Sequence, residues 1–340
     1  VIIVIRKEAS KDEITEVETT LKGLGYGVHP IYGVERTVIG AVGVPGQDKE
    51  DAAAQLRALE QVEDVIFILK PYKFVAKEYK PEKSTVKVGN VTIGGNEVVI
   101  MAGPCTVESR DQLLTTARAV KSAGATILRG GAYKPSTSPY SFQGMGLEGL
   151  KLLAEAREET GLPIITEVMH VRHIDQVAEY ADILQIGTRN MQNYEILEEV
   201  GKINKPVMLK RGMTAKIEEW LQAAEYIVVG GNKDVILCER GVRTFEQYTR
   251  NTLDLSAVLA VRELSHLPVV VDPSQGTGRS SMVPAMSCAA VAVGADALII
   301  EVHPHPEKAI KDGAQSITIP AFQKIMQELP GVAKAVGRSI

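Results

Sequence analysis

From Glu97 to the C-terminus the chain repeats one pattern: a short, almost continuously apolar run, a loop with glycine or charge, then a longer amphipathic stretch. The runs are VVIMAG, TILRGG, PIITEV, ILQIG, PVMLKRG, DVILCERG, PVVVDPS and ALIIEVH, and segments such as GLKLLAEAREETG lie between them. Unbroken Val- and Ile-rich runs predict strands buried on both faces, as a parallel sheet requires, joined by right-handed crossovers. Eight such units over residues 97–340 predict a closed (β/α)8 TIM barrel. The competing open Rossmann-type sheet would carry GxGxxG directly after a strand, and no strand here is directly followed by it.

The first seventy residues follow another order. VIIVI predicts a strand, Ser10 to Leu24 an acidic helix, ERTVIGAVG a strand, Asp48 to Gln61 a helix and VEDVIFIL a strand. Gly23, Gly25 and Gly27 end the first helix, and Pro45 and Gly46 separate the second strand from DKEDAAAQLRALE. This is a βαββαβ order short of one clear strand, and it predicts a small ferredoxin-like α+β domain over 1–70, with sheet edges open to pairing with another copy. Residues 71–84, PYKFVAKEYKPEKS, are rich in Lys and Pro without periodicity and predict a linker. STVKVGNVTIGG alternates Val88, Val91 and Ile93 around Gly89 and Asn90, which predicts a short β-hairpin at the head of the barrel domain, 85–340.

Composition narrows the function classes. The 340 residues carry a formal charge of -4, and the parts before and after residue 84 are each close to neutral, so neither is a basic nucleic-acid arm. No run of 18 apolar residues exists to span a membrane, and VIIVIRKEAS lacks the order of a secretory signal, so a soluble, cytoplasmic chain is expected. Three widely spaced cysteines, Cys105, Cys238 and Cys288, form no CxxC pair and suit reduced thiols.

Working residues of such a barrel sit at the C-terminal ends of its strands. Those ends here collect Cys105, Arg129, Lys134, Glu167, Arg189, Lys210, Arg211, Arg240, Asp272 and Glu301. A single Arg or Lys reads most simply as a solvated cation. Convergence of Arg129, Lys134, Arg189, Lys210 and Arg240 on one rim instead makes a cup for a ligand with several negative charges, such as a phosphorylated carboxylic acid. Cys105, Glu301 and Asp312 form a second set, a thiol and two carboxylates suited to Mn, Fe or Zn but without an imidazole.

AGPCTVES, LRGGAYKP, TSPYSFQG, TEV, IGTRN, LKRG, CERGVRTFE, NTLD, VDPS, AVGADALIIEVHP and DGAQS together resemble the 3-deoxy-D-arabino-heptulosonate 7-phosphate (DAHP) synthase family. The similarity is to its short microbial type, type Iβ, with an N-terminal ferredoxin-like or ACT-like regulatory domain. The resemblance implies an aldol-like condensation of phosphoenolpyruvate with erythrose 4-phosphate at the start of the shikimate pathway. It implies substrate contacts from Arg129, Lys134, Thr137, Ser138, Glu167, Arg189, Lys210, Arg240 and Asp272, with Lys134, Arg129 and Lys210 central to catalysis. Cys105, Glu301 and Asp312 fall on three of the family's four positions for a divalent metal. The implied partners also include tyrosine or phenylalanine as feedback effector, with His29 at a ligand-contact position and Ile31 where a hydroxyl residue is expected. A homodimer or homotetramer is implied as well.

Two positions depart from the family pattern. Gln275 stands where the family's DPSH has its metal-binding His, and an amide oxygen is the weaker ligand for soft metals, so affinity is expected to fall or shift toward harder ions. Ser136, in KPSTSP, replaces an Arg that resembles a contact to the erythrose 4-phosphate phosphate. His303 and His305 follow Glu301; the first is expected to be structural, the second exposed. The alternatives are a paralogue with another aldehyde, as in 3-deoxy-octulosonate 8-phosphate synthases, or a phosphoenolpyruvate-binding protein of low activity.

Overall fold

A computed structural model of the chain describes residues 1–33, 36–43, 54–66, 71–135 and 138–340. Two compact units divide it, Val1–Pro81 and Glu82–Ile340.

In the first unit, strands β1 (Ile2–Ile5), β2 (Gly27–Tyr32), β3 (Thr37–Val42) and β4 (Val62–Ile66) form an antiparallel sheet in the order β2-β3-β1-β4. That is the ferredoxin-like order. Helix α1 (Lys11–Gly23) begins at a capping box, in which the Ser10 hydroxyl accepts from the Glu13 amide and the Glu13 carboxylate accepts from the Ser10 amide. It buries Ile14, Val17 and Leu21 against Ile3, Ile5, Ile39 and Val65. Of the second predicted helix, residues 54–57 are helical and the chain turns after them; residues 48–53 lie outside the described residues, as does the end of VEDVIFIL.

The strand that the sequence pattern does not reveal is β2. Its sequence, GVHPIY, contains Gly and Pro, and its side chains are exposed or half-buried, so no alternation marks it. Pro30 is tolerated because β2 lies at the edge, with β3 as its one neighbour in the sheet. Residues 71–81 of the stretch read as a linker belong to this unit, and residues 82–84 to the second. Phe74 stacks edge-on against Tyr79 and His29, and both aromatic rings approach Gly40, where a Cβ would collide with them.

The second unit opens with the hairpin β5 (Val86–Val88) and β6 (Val91–Ile93), turned at Gly89, whose φ of 57° suits glycine. Eight parallel strands follow: β7 (Val99–Gly103), β8 (Ile127–Arg129), β9 (Ile164–Val168), β10 (Ile183–Ile186), β11 (Val207–Lys210), β12 (Val235–Glu239), β13 (Val269–Val271) and β14 (Ala297–Glu301). They close into a barrel, with β14 paired to β7 and β9 to β10. All eight predicted runs are therefore strands of one barrel, and the open-sheet alternative is excluded. Every strand is buried along its length, as the unbroken apolar runs require. No helix among the described residues is long and apolar enough to cross a membrane.

Val86, Val88 and Ile93 of the hairpin join Met101, Ile127, Ile165, Ile183, Met208, Cys238, Val270 and Ile299 in one core cluster. The hairpin thus supplies part of the barrel's apolar floor. Outside the barrel, the helix Ile217–Val229 buries Trp220 completely, and its indole N–H donates to the Leu209 carbonyl at 3.1 Å. Trp220→Ala removes that anchor and leaves a large void; urea denaturation is expected to show a loss of about 3–5 kcal/mol with an unchanged m-value.

Candidate active site

Residues two apart on a strand share a face. Counting two positions forward from the core layer, Ile127 leads to Arg129, Ile165 to Glu167, Ile183 to Gln185, Met208 to Lys210, Cys238 to Arg240, Val270 to Asp272 and Ile299 to Glu301. The same alternation that packs the floor therefore raises a layer of polar side chains directly above it. The strands end here, and loops supply Cys105, Lys134 and Asp312.

Arg129, Lys134, Lys210 and Arg240 are all buried, as are Glu167, Asp272 and Glu301. Such burial is stable only with compensation. The Lys210 ammonium donates to Asp272 at 2.6 Å and to the Gln275 amide oxygen at 3.2 Å. Arg129 donates to the Pro104 carbonyl at 2.8 Å and lies 3.4 Å from the Glu301 carboxylate. Glu301 also accepts from Gln315 at 2.7 Å. Burial works to raise Asp272, but Lys210 and Arg129 outweigh it and hold the carboxyl below its ordinary value.

Pro135, Glu167, Gln185, Arg189, Lys210 and Arg240 line the pocket above this layer together with Lys134, Arg250, Gln275, Lys311 and Asp312. The Nε–H groups of Arg129 and Arg240 are buried without a partner. A buried guanidinium donor left unpaired is costly and points to an anionic acceptor as its partner. Burial pulls the Arg240 guanidinium below its ordinary value and pushes Glu167 above its own, despite Lys134 and Lys210 nearby. Glu167 sits where it does because residue 187 is glycine: a Cβ at Gly187 would strike its carboxylate.

At one side of the pocket Cys105, Glu301 and Asp312 bring their ligand atoms within 4.8 Å of one another. This donor set, one thiol and two carboxylates, fits a divalent cation in charge and convergence. The Cys105 Sγ lies 3.1 Å from Asp312 and 2.7 Å from the Lys134 ammonium, which is itself 3.8 Å from Asp312. Burial works to lower Lys134, but the carboxylates of Glu301 and Asp312 raise it, so it stays an ammonium at neutral pH. Asp312 has a φ of 55°, the one positive value at a non-glycine among the described residues. A side chain held in that strained region is commonly a working one.

Several other residues that the sequence singles out do not line this pocket. Arg211 does not line the pocket; it is paired to Glu239 and Asp254, both at 2.9 Å, and braces the barrel wall. Ser138 is exposed, its hydroxyl accepting from the Tyr140 amide. Ser136 and Thr137 lie outside the described residues. His303 is buried 3.3 Å from Glu108, and His305 is exposed, so neither joins the thiol–carboxylate group. His29 lies on the edge strand β2, exposed, with its ring edge-on to Phe74. Cys238 is a floor residue and its thiol is pushed up to about 12 by burial.

Arg250, Gln315, Gln185 and Lys311 are the residues that reading strand ends missed. Arg250 donates to Asp312 at 3.1 Å and to Gln315 at 2.8 Å, so it holds the loop that carries Asp312. No motif marks it, since it sits in a long loop after β12. Gln185 had a signal: it is a polar residue within the apolar run ILQIG, and its amide donates to Glu167 at 3.2 Å.

A closed (β/α)8 barrel with a cationic cup and a thiol–carboxylate cluster at the C-terminal ends of its strands is a framework built for an anionic ligand. Residues 73–335 match the model of the DAHP synthetase I family and residues 1–70 that of the DAHP synthase ferredoxin-like domain. The chain belongs to the DAHP synthetase I family and is an enzyme of the DAHP synthase type. It is 48% identical over 336 residues to a phospho-2-dehydro-3-deoxyheptonate aldolase of Thermotoga maritima, covering 99% of this chain and 98% of the relative. The crystal structure of the Thermotoga maritima phospho-2-dehydro-3-deoxyheptonate aldolase (DAHP synthase) superposes with a TM-score of 0.79 at 47% identity, covering 99% of this chain and 98% of that one. A 2-dehydro-3-deoxyphosphooctonate aldolase of Syntrophotalea carbinolica is 35% identical over 267 residues, 73% of this chain and 95% of the relative.

Burial raises the Cys105 thiol, and the carboxylates Glu301 and Asp312 add to the effect that Lys134 opposes. Thiolate is therefore scarce at Cys105 and Cys238 at pH 8. Iodoacetamide at that pH is expected to modify half-buried Cys288 first and to leave the other two largely intact, as read by peptide mass spectrometry.

Proposed function

We infer that the chain condenses phosphoenolpyruvate with erythrose 4-phosphate to give DAHP and inorganic phosphate. The observation that carries this reading is the cationic layer above the barrel floor, with two buried guanidinium N–H groups unpartnered. Phosphoenolpyruvate brings a phosphate and a carboxylate, and planar guanidinium forks from Arg129 and Arg240 suit both. Arg189 is exposed at the same pocket, where its guanidinium is available to the ligand's outer edge.

The phosphoenolpyruvate C3 attacks the aldehyde carbon, water adds at C2, and phosphate leaves by C–O cleavage. Lys134, held protonated by its anionic neighbours, donates a proton to the developing alkoxide. Lys210, fixed between Asp272 and Gln275, orients the ligand's charge without having to reorganise. Cys105, Glu301 and Asp312 would hold a divalent ion such as Mn, Fe or Zn, which supplies polarisation of the aldehyde carbonyl. The ferredoxin-like domain supports feedback control by tyrosine or phenylalanine near His29, and the open edge of β2 supports assembly into a homodimer or homotetramer.

Phosphate release from phosphoenolpyruvate with erythrose 4-phosphate, with added Mn and after EDTA, tests the reaction; no release under any metal condition would leave a phosphoenolpyruvate-binding protein instead. Ser136 and the Syntrophotalea relative favour one second reading, in which arabinose 5-phosphate is the better aldehyde, and a parallel assay with it decides between them. Arg189→Ala, at an exposed position, is expected to lower kcat/KM for phosphoenolpyruvate roughly 10- to 150-fold, about 1.5–3 kcal/mol for one charged bond, with an unchanged melting temperature. Gly187→Ala, whose φ of -72° any residue adopts, displaces the Glu167 carboxylate and is expected to cut the same rate at least about tenfold.

A further inference from the structure

Gln275 lies between a cation and an anion, and each end of its amide faces one of them. Its Oε1 is 3.2 Å from the Lys210 ammonium, and its Nε2 is 3.4 Å from Glu301 Oε1. Chemistry dictates this orientation. An ammonium can only donate and an ionised carboxylate can only accept, so the amide oxygen must face Lys210 and the NH2 must face Glu301. The reverse orientation would set two donors against each other at Lys210 and two acceptors against each other at Glu301. The backbone is held as well, its N–H donating to Asp272 at 2.9 Å and its carbonyl accepting from Asn251 at 2.9 Å.

We propose that Gln275 is a positioning residue and not a metal ligand: its amide bridges Lys210 to Glu301, and Cys105, Glu301 and Asp312 alone provide the protein's donors to a divalent ion. To offer its oxygen to an ion beside Glu301, the amide would have to turn away from Lys210 and present its NH2 there, which loses a charge-assisted bond and creates a donor–donor clash. In its observed orientation the amide serves both halves of the site. It gives Lys210 a second acceptor besides Asp272, and it gives Glu301 a donor besides Arg129 and Gln315. Outer partners of this kind set the orientation and basicity of a ligating carboxylate. The inference rests on the reading of Cys105, Glu301 and Asp312 as a cation site.

The test uses Co2+ titrated into the EDTA-treated full chain, followed by the near-ultraviolet thiolate-to-cobalt band, for wild type, Gln275→Leu and Gln275→His. Gln275→Leu is expected to bind Co2+ within threefold of wild type, and Gln275→His, which adds an imidazole, at least tenfold more tightly. More than a threefold loss in Gln275→Leu would make the amide a ligand and overturn the proposal. A band absent from all three proteins would sink the cation site itself, and with it the proposal, whatever the phosphate-release assay shows. The positioning role has its own readout. With EDTA present, calorimetry is expected to show phosphoenolpyruvate affinity reduced at least threefold in Gln275→Leu, because Lys210 loses one of its two acceptors; unchanged affinity would refute the bridge.

Discussion

Lys210 and Asp272, each almost wholly withdrawn from solvent and 2.6 Å apart, set the condition that the rest of the barrel mouth obeys. A lone charge at that depth costs several kcal/mol, so it persists only where an opposite charge and further hydrogen bonds meet it. The same condition governs Arg129 with Glu301, Lys134 with Asp312, and Arg211 with Glu239 and Asp254. Among the described charged groups of the mouth, compensation is incomplete at the Nε–H groups of Arg129 and Arg240. Those donors are where the protein leaves electrostatic work for a ligand.

Building this mouth needs little more than strand geometry. A floor of Ile, Met, Val and Cys side chains, joined by the hairpin residues Val86, Val88 and Ile93, packs at one level, and the next inward positions on the same strands carry the chemistry. The rigidity of the floor passes upward, because Arg129, Glu167, Lys210, Arg240, Asp272 and Glu301 each stand two residues beyond a buried floor residue of a hydrogen-bonded strand. Catalytic precision and core packing are therefore one arrangement seen at two heights, and Cys238 belongs to the floor although a thiol two residues from Arg240 invites a chemical reading.

Legibility along the chain follows how local each signal is. Buried parallel strands reveal themselves as apolar runs because both faces need apolar residues, and all eight were readable. Edge strand β2 was not, since one neighbour and half-exposed faces impose no pattern, and Pro30 suggests the opposite of a strand. Strand-end charges were readable through the rule that barrels work at those ends. Arg211 obeyed the rule and still turned to the wall, because Glu239 and Asp254, 28 and 43 residues further on, are nearer than the pocket. Arg250 escaped notice for the converse reason, standing in a loop whose path alone brings it to Asp312.

What the sequence determined by itself was the set of elements, the barrel class and the identity of the chemical groups, because periodicity and residue type are local properties. Tertiary structure decided which of those groups meet. Cys105, Glu301 and Asp312 are separated by up to 207 residues and converge because β14 closes on β7. The direction of the Gln275 amide, toward Lys210 with its oxygen and Glu301 with its nitrogen, exists only once barrel closure has set a cation on one side of it and an anion on the other.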